Sequence, residues 1–454
     1  MGFLYSVVGF LIAIGILVAV HEFGHFWVAR KLGVKVLKFS IGFGKPLWKT
    51  VGGVDKTEYV VAAIPLGGYV KMLGEGDPDA PVLESEKHRA FDNQPIWKRS
   101  LIILAGPGIN FLFAILLFSI LGLQTVERLD PVFGQAPLAS AVSLAGVKEG
   151  DRLVSVDGRE VDFLAHQQLY IMNRVLQGSD IEMQVLSGGS VRSVTIETQG
   201  IPIYNINPGS MMYQLGIVPP SPPITSEIHH VAPESPAESA GIRQGDVVVS
   251  ISGQPVESWR ELSTLISPNP GKELEIIVQR SGLNKTFLIT PKATPFNGGE
   301  IGVIGVRPKP TSYSPDQLVS VSKGPWASFM AGLDQTWQMS TVTLRMLGKM
   351  LTLQVSHKNV NGPIMIANVA GQAIQVGLDY YIHILAVISI SLGVMNLLPI
   401  PILDGGHLLV HLIEGVAGKK AALNFFAVGQ RVGIFILIGF MGLAFYNDIF
   451  KLLN

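Results

Sequence analysis

Four long apolar runs dominate the pattern of hydrophobic and polar positions along the chain. About 20 mostly apolar residues are enough for a helix to cross the hydrocarbon core of a bilayer. The pattern therefore predicts four transmembrane helices, over residues 1–30, 100–126, 380–403 and 426–447. The first run has no basic residue before it and no small-residue cleavage site behind it. This favours a retained helix over a signal peptide.

Basic residues near the ends of these runs predict the orientation of the chain. Lysine and arginine are frequent in residues 31–99 and 404–425 and scarce around the other helix ends. Because basic flanking segments stay in the cytoplasm, both segments are predicted to be cytoplasmic. Both termini and the long segment 127–379 are then predicted to lie outside.

The cytoplasmic segment 31–99 contains a predicted β region. The pattern predicts strands over residues 34–43, 58–64 and 69–73. The glycine pairs Gly52-Gly53 and Gly67-Gly68 separate these strands. These runs are apolar without a helical face. We therefore predict a short sheet associated with the membrane surface, with its edges shielded by protein.

The external segment contains an internal repeat. Residues 145–158, Ala-Gly-Val-Lys-Glu-Gly-Asp followed by a β-rich run and a glycine turn, match residues 240–253, which begin Ala-Gly-Ile-Arg-Gln-Gly-Asp. An offset of about 95 residues corresponds to one small domain. The repeat predicts two β-rich domains, over residues 127–220 and 221–309.

Each copy resembles a PDZ domain in the permuted form of bacterial proteases. PDZ domains bind a peptide as an added strand and capture its C-terminal carboxylate. Residues 132–134 and 215–217 are candidates for the binding loops. Peptides or protein C-termini are the ligands that this resemblance implies, and the alternative is a pair of spacer domains that bind nothing.

Residues 310–379 form a third external piece, predicted to consist of helices on the membrane surface. The stretch 326–353 is helical in pattern, but charged residues interrupt its apolar face. This favours a helix that lies on the membrane over one that crosses it. The predicted fold is thus a polytopic α-helical membrane protein with four transmembrane helices and a membrane-associated β-sheet, with two PDZ-like domains inserted between helices 2 and 3.

Composition narrows the possible functions. Apolar residues make up 48% of the chain and charged residues only 15%, against about 25% charged in ordinary soluble domains. The net charge is zero, so the overall charge does not indicate nucleic-acid binding. Cysteine is absent, which excludes disulfides and thiolate chemistry, so that histidine and carboxylate must hold any metal.

A candidate metal site lies at the end of the first apolar run. His21-Glu22-Phe23-Gly24-His25 has the His-Glu-x-x-His pattern. On a helix the two histidines lie on one face and reach one ion, and Glu22 is the candidate general base. Zinc suits histidine ligands and an open fourth position. Polar residues at such a membrane position are unfavourable without a function.

Asp404 is the candidate third ligand. Pro399 and Pro401 are expected to end the third helix and turn the chain so that Asp404 points back. The predicted topology places both motifs near the cytoplasmic face. His407 and His411 also have i,i+4 spacing, but no glutamate lies between them, so they are the weaker ligand pair.

The whole chain resembles the site-2 protease family. The resemblance rests on His-Glu-x-x-His in a first membrane helix, the PDZ-like repeats, and the late sequence Asn396-x-x-Pro-x-Pro-x-Leu-Asp404-Gly. Residues 64–72, 105–110 and 361–364 also match the family.

The resemblance implies a zinc endopeptidase of the bacterial inner membrane. Its partners would be the lipid bilayer and single-span membrane proteins already shortened by another protease, such as anti-sigma factors and remnant signal peptides. The PDZ-like domains and both termini would be periplasmic, with the domains acting as a size filter. His21, His25 and Asp404 would hold Zn²⁺ near the cytoplasmic leaflet.

Further residues are expected to serve substrate binding and helix packing. The strand around Tyr69, with Gly67 and Gly68, would pair with the unwound substrate, because a helix hides its carbonyls in its own hydrogen bonds. Asn396 is expected to hydrogen-bond the substrate backbone. Gly106 and Gly108 are expected to permit close helix approach.

Two other classes of function stay open from the residues alone. A membrane-tethered PDZ scaffold would use the metal for structure and would not need Glu22. A metal-ion transporter would need acidic residues in mid-membrane, and the second and fourth runs contain none.

Overall fold

The structure is a computed structural model that describes residues 2–75, 82–204, 207–222, 224–296, 299–309 and 313–453. The helices of these residues are α1 (Gly2–Lys31), α2 (Ile96–Gly122), α3 (Ala141–Leu144), α4 (Gln168–Gln177), α5 (Pro208–Leu215), α6 (Pro236–Ala240), α7 (Trp259–Ile266), α8 (Pro325–Leu351), α9 (Pro363–Val376), α10 (Leu378–Asn396), α11 (Asp404–Ala417) and α12 (Lys419–Leu453).

The strands fall before α2 and between α2 and α8. They are β1 (Val36–Gly52), β2 (Thr57–Met72), β3 (Val126–Leu129), β4 (Arg152–Val156), β5 (Arg159–Glu160), β6 (Ile181–Ser187), β7 (Ser190–Ile196), β8 (Ile228–Val231), β9 (Val247–Ile251), β10 (Gln254–Pro255), β11 (Leu274–Arg280), β12 (Leu283–Ile289), β13 (Lys292–Phe296), β14 (Gly299–Val303), β15 (Val306–Pro308) and β16 (Leu318–Val321).

Four of the described helices, α1, α2, α10 and α12, are long and apolar enough to cross a membrane. Their number agrees with the prediction, but their ends differ. The third ends at Asn396 rather than at 403, because the prolines at 399 and 401 cannot continue a helix. The second spans 96–122 rather than 100–126, since Val126 begins β3. The fourth begins at Lys419 rather than at 426.

Small residues allow these helices to pack closely. A Cβ atom on Gly9 would lie 2.9 Å from the backbone of Ala370 in α9, and one on Gly24 would lie 2.3 Å from the carbonyl oxygen of Ala105 in α2. Without a hydrophobic driving force in lipid, such close backbone contact is a main source of helix association. α1 is therefore held between α9 and α2.

The β region after α1 is a sheet of two long, bent strands. Phe39 in β1 pairs with both Tyr59 and Val70 in β2, so the first half of β1 lies between the two ends of β2. The predicted run 58–64 falls within β2, while 34–43 begins two residues before β1 and 69–73 ends one residue after β2. Sequence reasoning missed the second half of β1, which pairs with residues 57–62. Gly67-Gly68 lies within β2 rather than between separate strands.

The sequence repeat produces two matching four-stranded sheets. Their strand orders are β5-β4-β6-β7 and β10-β9-β11-β12, and each sheet has its own apolar core. In each copy the aspartate of the repeated Gly-Asp pair is buried and accepts a hydrogen bond from the backbone N–H three residues earlier. The candidate loops 132–134 and 215–217 lie side by side, and the Gly134 amide donates to the carbonyl of Val218 next to them.

Two helices join the repeats to the membrane helices. α8, expected from Trp326 onward, packs on α2, and its Val342 lies in the core of the first repeat. α9 begins just after Asn361, as the Asn-Gly-Pro break predicts. The buried carboxylate of Asp448 in α12 accepts from the amides of Gly362, Ile364 and Met365 at this end. A carboxylate satisfies the unpaired N–H groups of a helix N-terminus well.

We predict that Asp246→Ala unfolds the second repeat locally. The Asp246 side chain is 1% exposed and accepts from Arg280 Nε and Nη2, both at 2.7 Å. Removing it leaves the guanidinium without a carboxylate and with only the Gly241 carbonyl as acceptor, which costs about 3 kcal/mol. Hydrogen exchange of residues 228–308 in the full chain should become faster. Glu275→Ala, which removes an exposed carboxylate from the same sheet, should leave this exchange unchanged; equal exchange in both variants would contradict the prediction.

The same contact predicts an acid sensitivity. Burial alone raises the pKa of Asp246, but the bonds from Arg280 and the Arg243 amide outweigh it and hold the pKa below its usual range. The stabilisation is therefore present above the ordinary aspartate pKa and is lost as pH falls through the lower folded value. Hydrogen exchange across pH should show this loss in the wild type and not in Asp246→Ala.

Candidate metal centre

His21, His25 and Asp404 converge on one point. His21 Nε2 lies 3.3 Å from His25 Nε2, and Asp404 Oδ2 lies 3.3 Å from His21 Nε2 and 3.6 Å from His25 Nε2. Zinc bound tetrahedrally at about 2.0–2.1 Å keeps its ligands about 3.3 Å apart. The three atoms thus have the spacing of one face of a zinc coordination shell.

A buried ligand atom without a hydrogen-bond partner also indicates a metal at this position. Asp404 Oδ2 is buried without a hydrogen-bond partner, and both neighbouring Nε2 atoms point at it. A buried polar atom without a partner is unfavourable unless an ion occupies the space. Among the described residues, these three form the one group of histidine and acidic side chains close enough to hold an ion together.

The imidazole of His25 is oriented by α2. Its Nδ1 lies 2.9 Å from the carbonyl oxygen of Ile102. Because a carbonyl only accepts, Nδ1 carries the proton and Nε2 keeps a free lone pair. This contact fixes the tautomer that a metal ligand requires.

The imidazole of His21 faces Asn110, which is fully buried in α2. Asn110 Nδ2 lies 3.2 Å from His21 Nδ1, while Asn110 Oδ1 has no hydrogen-bond partner. When His21 Nε2 faces a metal, Nδ1 carries a proton and needs an acceptor. Turning the amide end for end would bring Oδ1 onto that proton as its acceptor.

Asp404 reaches the histidines because it is the first residue of α11. The turn before it, residues 397–403, follows the end of α10. A Cβ atom on Gly405 would lie 2.3 Å from the carbonyl of Leu397, and one on Gly406 would lie 2.2 Å from that of Ile400. The two glycines therefore let α11 start directly against the turn. Burial raises the pKa of Asp404, but the adjacent imidazoles of His21 and His25 outweigh it and hold the pKa below its usual range.

Glu22 lines the same cavity of about 980 Å³ as the three candidate ligands. Its side chain is buried, and it follows His21 directly in α1. A Cβ atom on Gly68 would lie 2.9 Å from Glu22 Cγ, so β2 passes directly over this side chain. The Glu22 carboxylate therefore lines the cavity that contains the candidate metal position.

The expected substrate-binding residues lie around this cavity. Asn396, Tyr69, Gly67 and Gly68 all line it. Asn396 Nδ2 lies 3.5 Å from His21 Nε2, and the Tyr69 ring stacks on Phe43. Residues 68–72 pair with β1 on one side, and within the described residues their other edge has no strand partner.

The weaker histidine pair does not join the metal position. His411 Nδ1 lies 3.1 Å from Ser100 Oγ, and the His407 ring packs on Phe426. Burial lowers the pKa of both histidines, that of His411 to about 4 with help from the Arg99 charge. Both rings are therefore neutral and serve packing and hydrogen bonding.

Sequence reasoning missed the role of α2. A Cβ atom on Gly106 would lie 2.2 Å from His25 Nε2, whereas nothing lies within 4 Å of one on Gly108. The expectation of close approach is thus confirmed for Gly106 and wrong for Gly108. Asn110 carried a detectable signal, since it is a buried amide within an apolar span, where polar residues mark function.

Comparison with known proteins identifies the family. The sequence model of Peptidase family M50 matches residues 9–440. The chain belongs to this family, the site-2 proteases. It is 37% identical over 453 residues to the regulator of sigma-E protease RseP of Escherichia coli K12, covering all of both chains. It is 39% identical over 459 residues to the protease RseP of Yersinia pestis, again over all of both chains.

A third relative bears on the metal. The chain is 37% identical, over 99% of both chains, to a Vibrio cholerae protein named as a candidate zinc metalloprotease. Family M50 proteins are zinc-dependent membrane proteases, so this chain is a metalloprotease of the site-2 type in a bacterial membrane. The group of His21, His25 and Asp404 is a possible site for its metal.

We predict that Gly106→Ala weakens metal binding by this M50 protease. The added methyl group overlaps His25 Nε2 and must push the ring away from Asp404. Metal affinity should fall by at least about 10-fold. Gly108→Ala is the matched control, because its methyl group meets open space. Zinc content after dialysis against a chelator measures both, and equal zinc retention would contradict the predicted geometry.

We further predict that Asn110→Ala weakens the metal site without removing a ligand. Loss of the partner of His21 Nδ1 frees the ring and its tautomer, and such changes typically cost about 10–100-fold in metal affinity. Asn110→Asp, which keeps an acceptor oxygen at this position, should retain more affinity than the alanine variant. Competition with a chromophoric chelator gives both values, and the reverse order would exclude the proposed hydrogen bond.

Proposed function

We propose that the chain is an intramembrane zinc endopeptidase that cleaves single-span membrane proteins after their ectodomains have been shortened. One observation carries this proposal: His21, His25 and Asp404 meet at zinc-ligand separations among membrane helices, with Glu22 in the same cavity. The names of the relatives support a protease that regulates sigma E. Anti-sigma factors and remnant signal peptides are the substrates that we infer.

His21, His25 and Asp404 would hold Zn²⁺. The ion would polarise the scissile carbonyl and lower the pKa of water at its open position. Glu22 would accept the proton of the attacking water and return it to the leaving amine. Asn396, beside His21, would donate its amide N–H to the substrate carbonyl.

The free edge of β2 supports a strand-like substrate. A transmembrane helix pairs all of its backbone groups internally, so it must unwind before a carbonyl can be attacked. Gly67, Gly68 and Tyr69 line the cavity at an edge that is open within the described chain. We infer that the unwound segment adds to this edge, between Gly68 and Asn396.

We infer that the two repeats are PDZ-like domains in the periplasm that limit the size of substrate ectodomains. The β1–β2 sheet comes before α2 in the chain, and the two repeats come after it, between α2 and α10. A membrane-crossing α2 therefore places the repeats at the membrane face opposite the sheet. The basic residues of 31–99 support a cytoplasmic sheet and periplasmic termini. His21 lies about 28 Å along α1 from Gly2 at 1.5 Å per residue, which supports a centre near the cytoplasmic leaflet.

Glu22→Gln tests the proposal. The variant keeps all three candidate ligands, so we expect it to bind as much zinc as the wild type. Cleavage of a truncated single-span reporter in membranes should fall by about 100-fold or more, because the general base is lost. His21→Ala should lose both zinc and cleavage, and Glu84→Gln, at an exposed site, should lose neither. Unchanged cleavage in Glu22→Gln would exclude Glu22 as the base, and no cleavage of several reporters by the wild type would favour a PDZ scaffold with a structural metal.

A further inference from the structure

Two partly buried polar contacts join the start of α2 to α11. Arg99 Nη2 donates to Glu414 Oε1 at 2.8 Å, and Arg99 Nε donates to the carbonyl of Gln94 at 3.0 Å. The next residue, Ser100, has its hydroxyl 3.1 Å from His411 Nδ1. Arg99 is 8% exposed and His411 is 6% exposed. Neither contact is used by the proposed cleavage reaction.

Both contacts act on the helix that carries Asp404. Asp404, His407, His411 and Glu414 are spaced by three or four residues in α11, so they share one face. All four line the same cavity. Because α11 is a continuous helix, any rotation or slide at His411 and Glu414 also moves the carboxylate of Asp404.

The state of His411 matches this geometry. Burial, and then the nearby Arg99 charge, lower the pKa of His411 to about 4. The ring is therefore neutral at neutral pH, and its Nδ1 can accept the Ser100 hydroxyl hydrogen. The hydrogen bond from Arg99 lowers the pKa of Glu414, so this carboxylate stays ionised and paired.

The same helix α2 also orients the other two ligands. Its Ile102 carbonyl holds His25, and its Asn110 side chain faces His21. Together with the contacts of Arg99 and Ser100, these make four contacts from residues 99–110 of α2, a stretch of about three helical turns. A buried ion pair contributes little net stability compared with apolar packing, but it can fix one register between two elements.

We propose that Arg99–Glu414 and Ser100–His411 are positioning contacts that lock the register of α11 on α2 and thereby hold Asp404 against His21 and His25. α2 then serves as the common frame for all three ligands. The inference rests on the metal centre of the proposed function, but it assigns roles to four residues outside the ligand set. They are positioning residues, because they act through Asp404.

The test measures the metal site rather than activity alone. Purified full-length chain in lipid nanodiscs is loaded with Co²⁺, whose visible spectrum reports the number and geometry of its ligands. We expect Glu414→Gln and Ser100→Ala to weaken Co²⁺ affinity by about 10-fold or more. The spectrum of Glu414→Gln should also shift toward that of Asp404→Asn. Glu84→Gln, in an exposed ion pair with Lys87, is the control.

A charge exchange separates positioning from simple loss of folding. Arg99→Glu alone should lose the Co²⁺ spectrum, and the double variant Arg99→Glu/Glu414→Arg should regain part of it. Normal affinity and spectrum in both Glu414→Gln and Ser100→Ala, with only thermal stability reduced, would overturn the inference and leave the proposed function intact. A wild-type chain that binds no Co²⁺ would overturn both.

Discussion

The close contact between α1 and α2 is the constraint on which the rest of the centre depends. Gly24 lies against the backbone of Ala105, and Gly106 lies against the ring of His25. At this distance α2 can offer a backbone carbonyl to His25 and an amide to His21. A separation larger by one methyl group would remove both contacts, and the imidazoles would lose their fixed orientation.

Polar groups inside a membrane bundle are stable here because they satisfy one another. His25, Asn110, Arg99 and His411 are all buried, and each has a hydrogen-bond partner on another element. The low dielectric that makes an unpaired polar group unfavourable also makes a paired one more rigid. Among the three candidate ligands, Asp404 has a carboxylate oxygen, Oδ2, without a hydrogen-bond partner, and this oxygen lies where a cation would be held.

The cavity has two kinds of wall, and each suits one part of the proposed reaction. On one side β2 presents a glycine-rich strand edge, which lets an extended backbone approach closely. On the other side the end of α10 and the start of α11 present Asn396 and Asp404. The prolines after Asn396 end α10 and separate it from α11. Asn396 and Asp404 therefore belong to two different helices and can both face the strand edge.

The sequence by itself determined the four apolar spans, the duplicated β unit and the His-Glu-x-x-His pair, because each depends on spacing along one segment. Helical periodicity puts His21 and His25 on one face, and Pro399 and Pro401 end a helix wherever they occur. The tertiary structure alone decided that Asp404 begins α11 against these histidines, and that α2 contacts both histidines and the helix that carries Asp404. Contacts such as Arg99–Glu414 join residues far apart in the chain, and no local period encodes which faces of two helices meet.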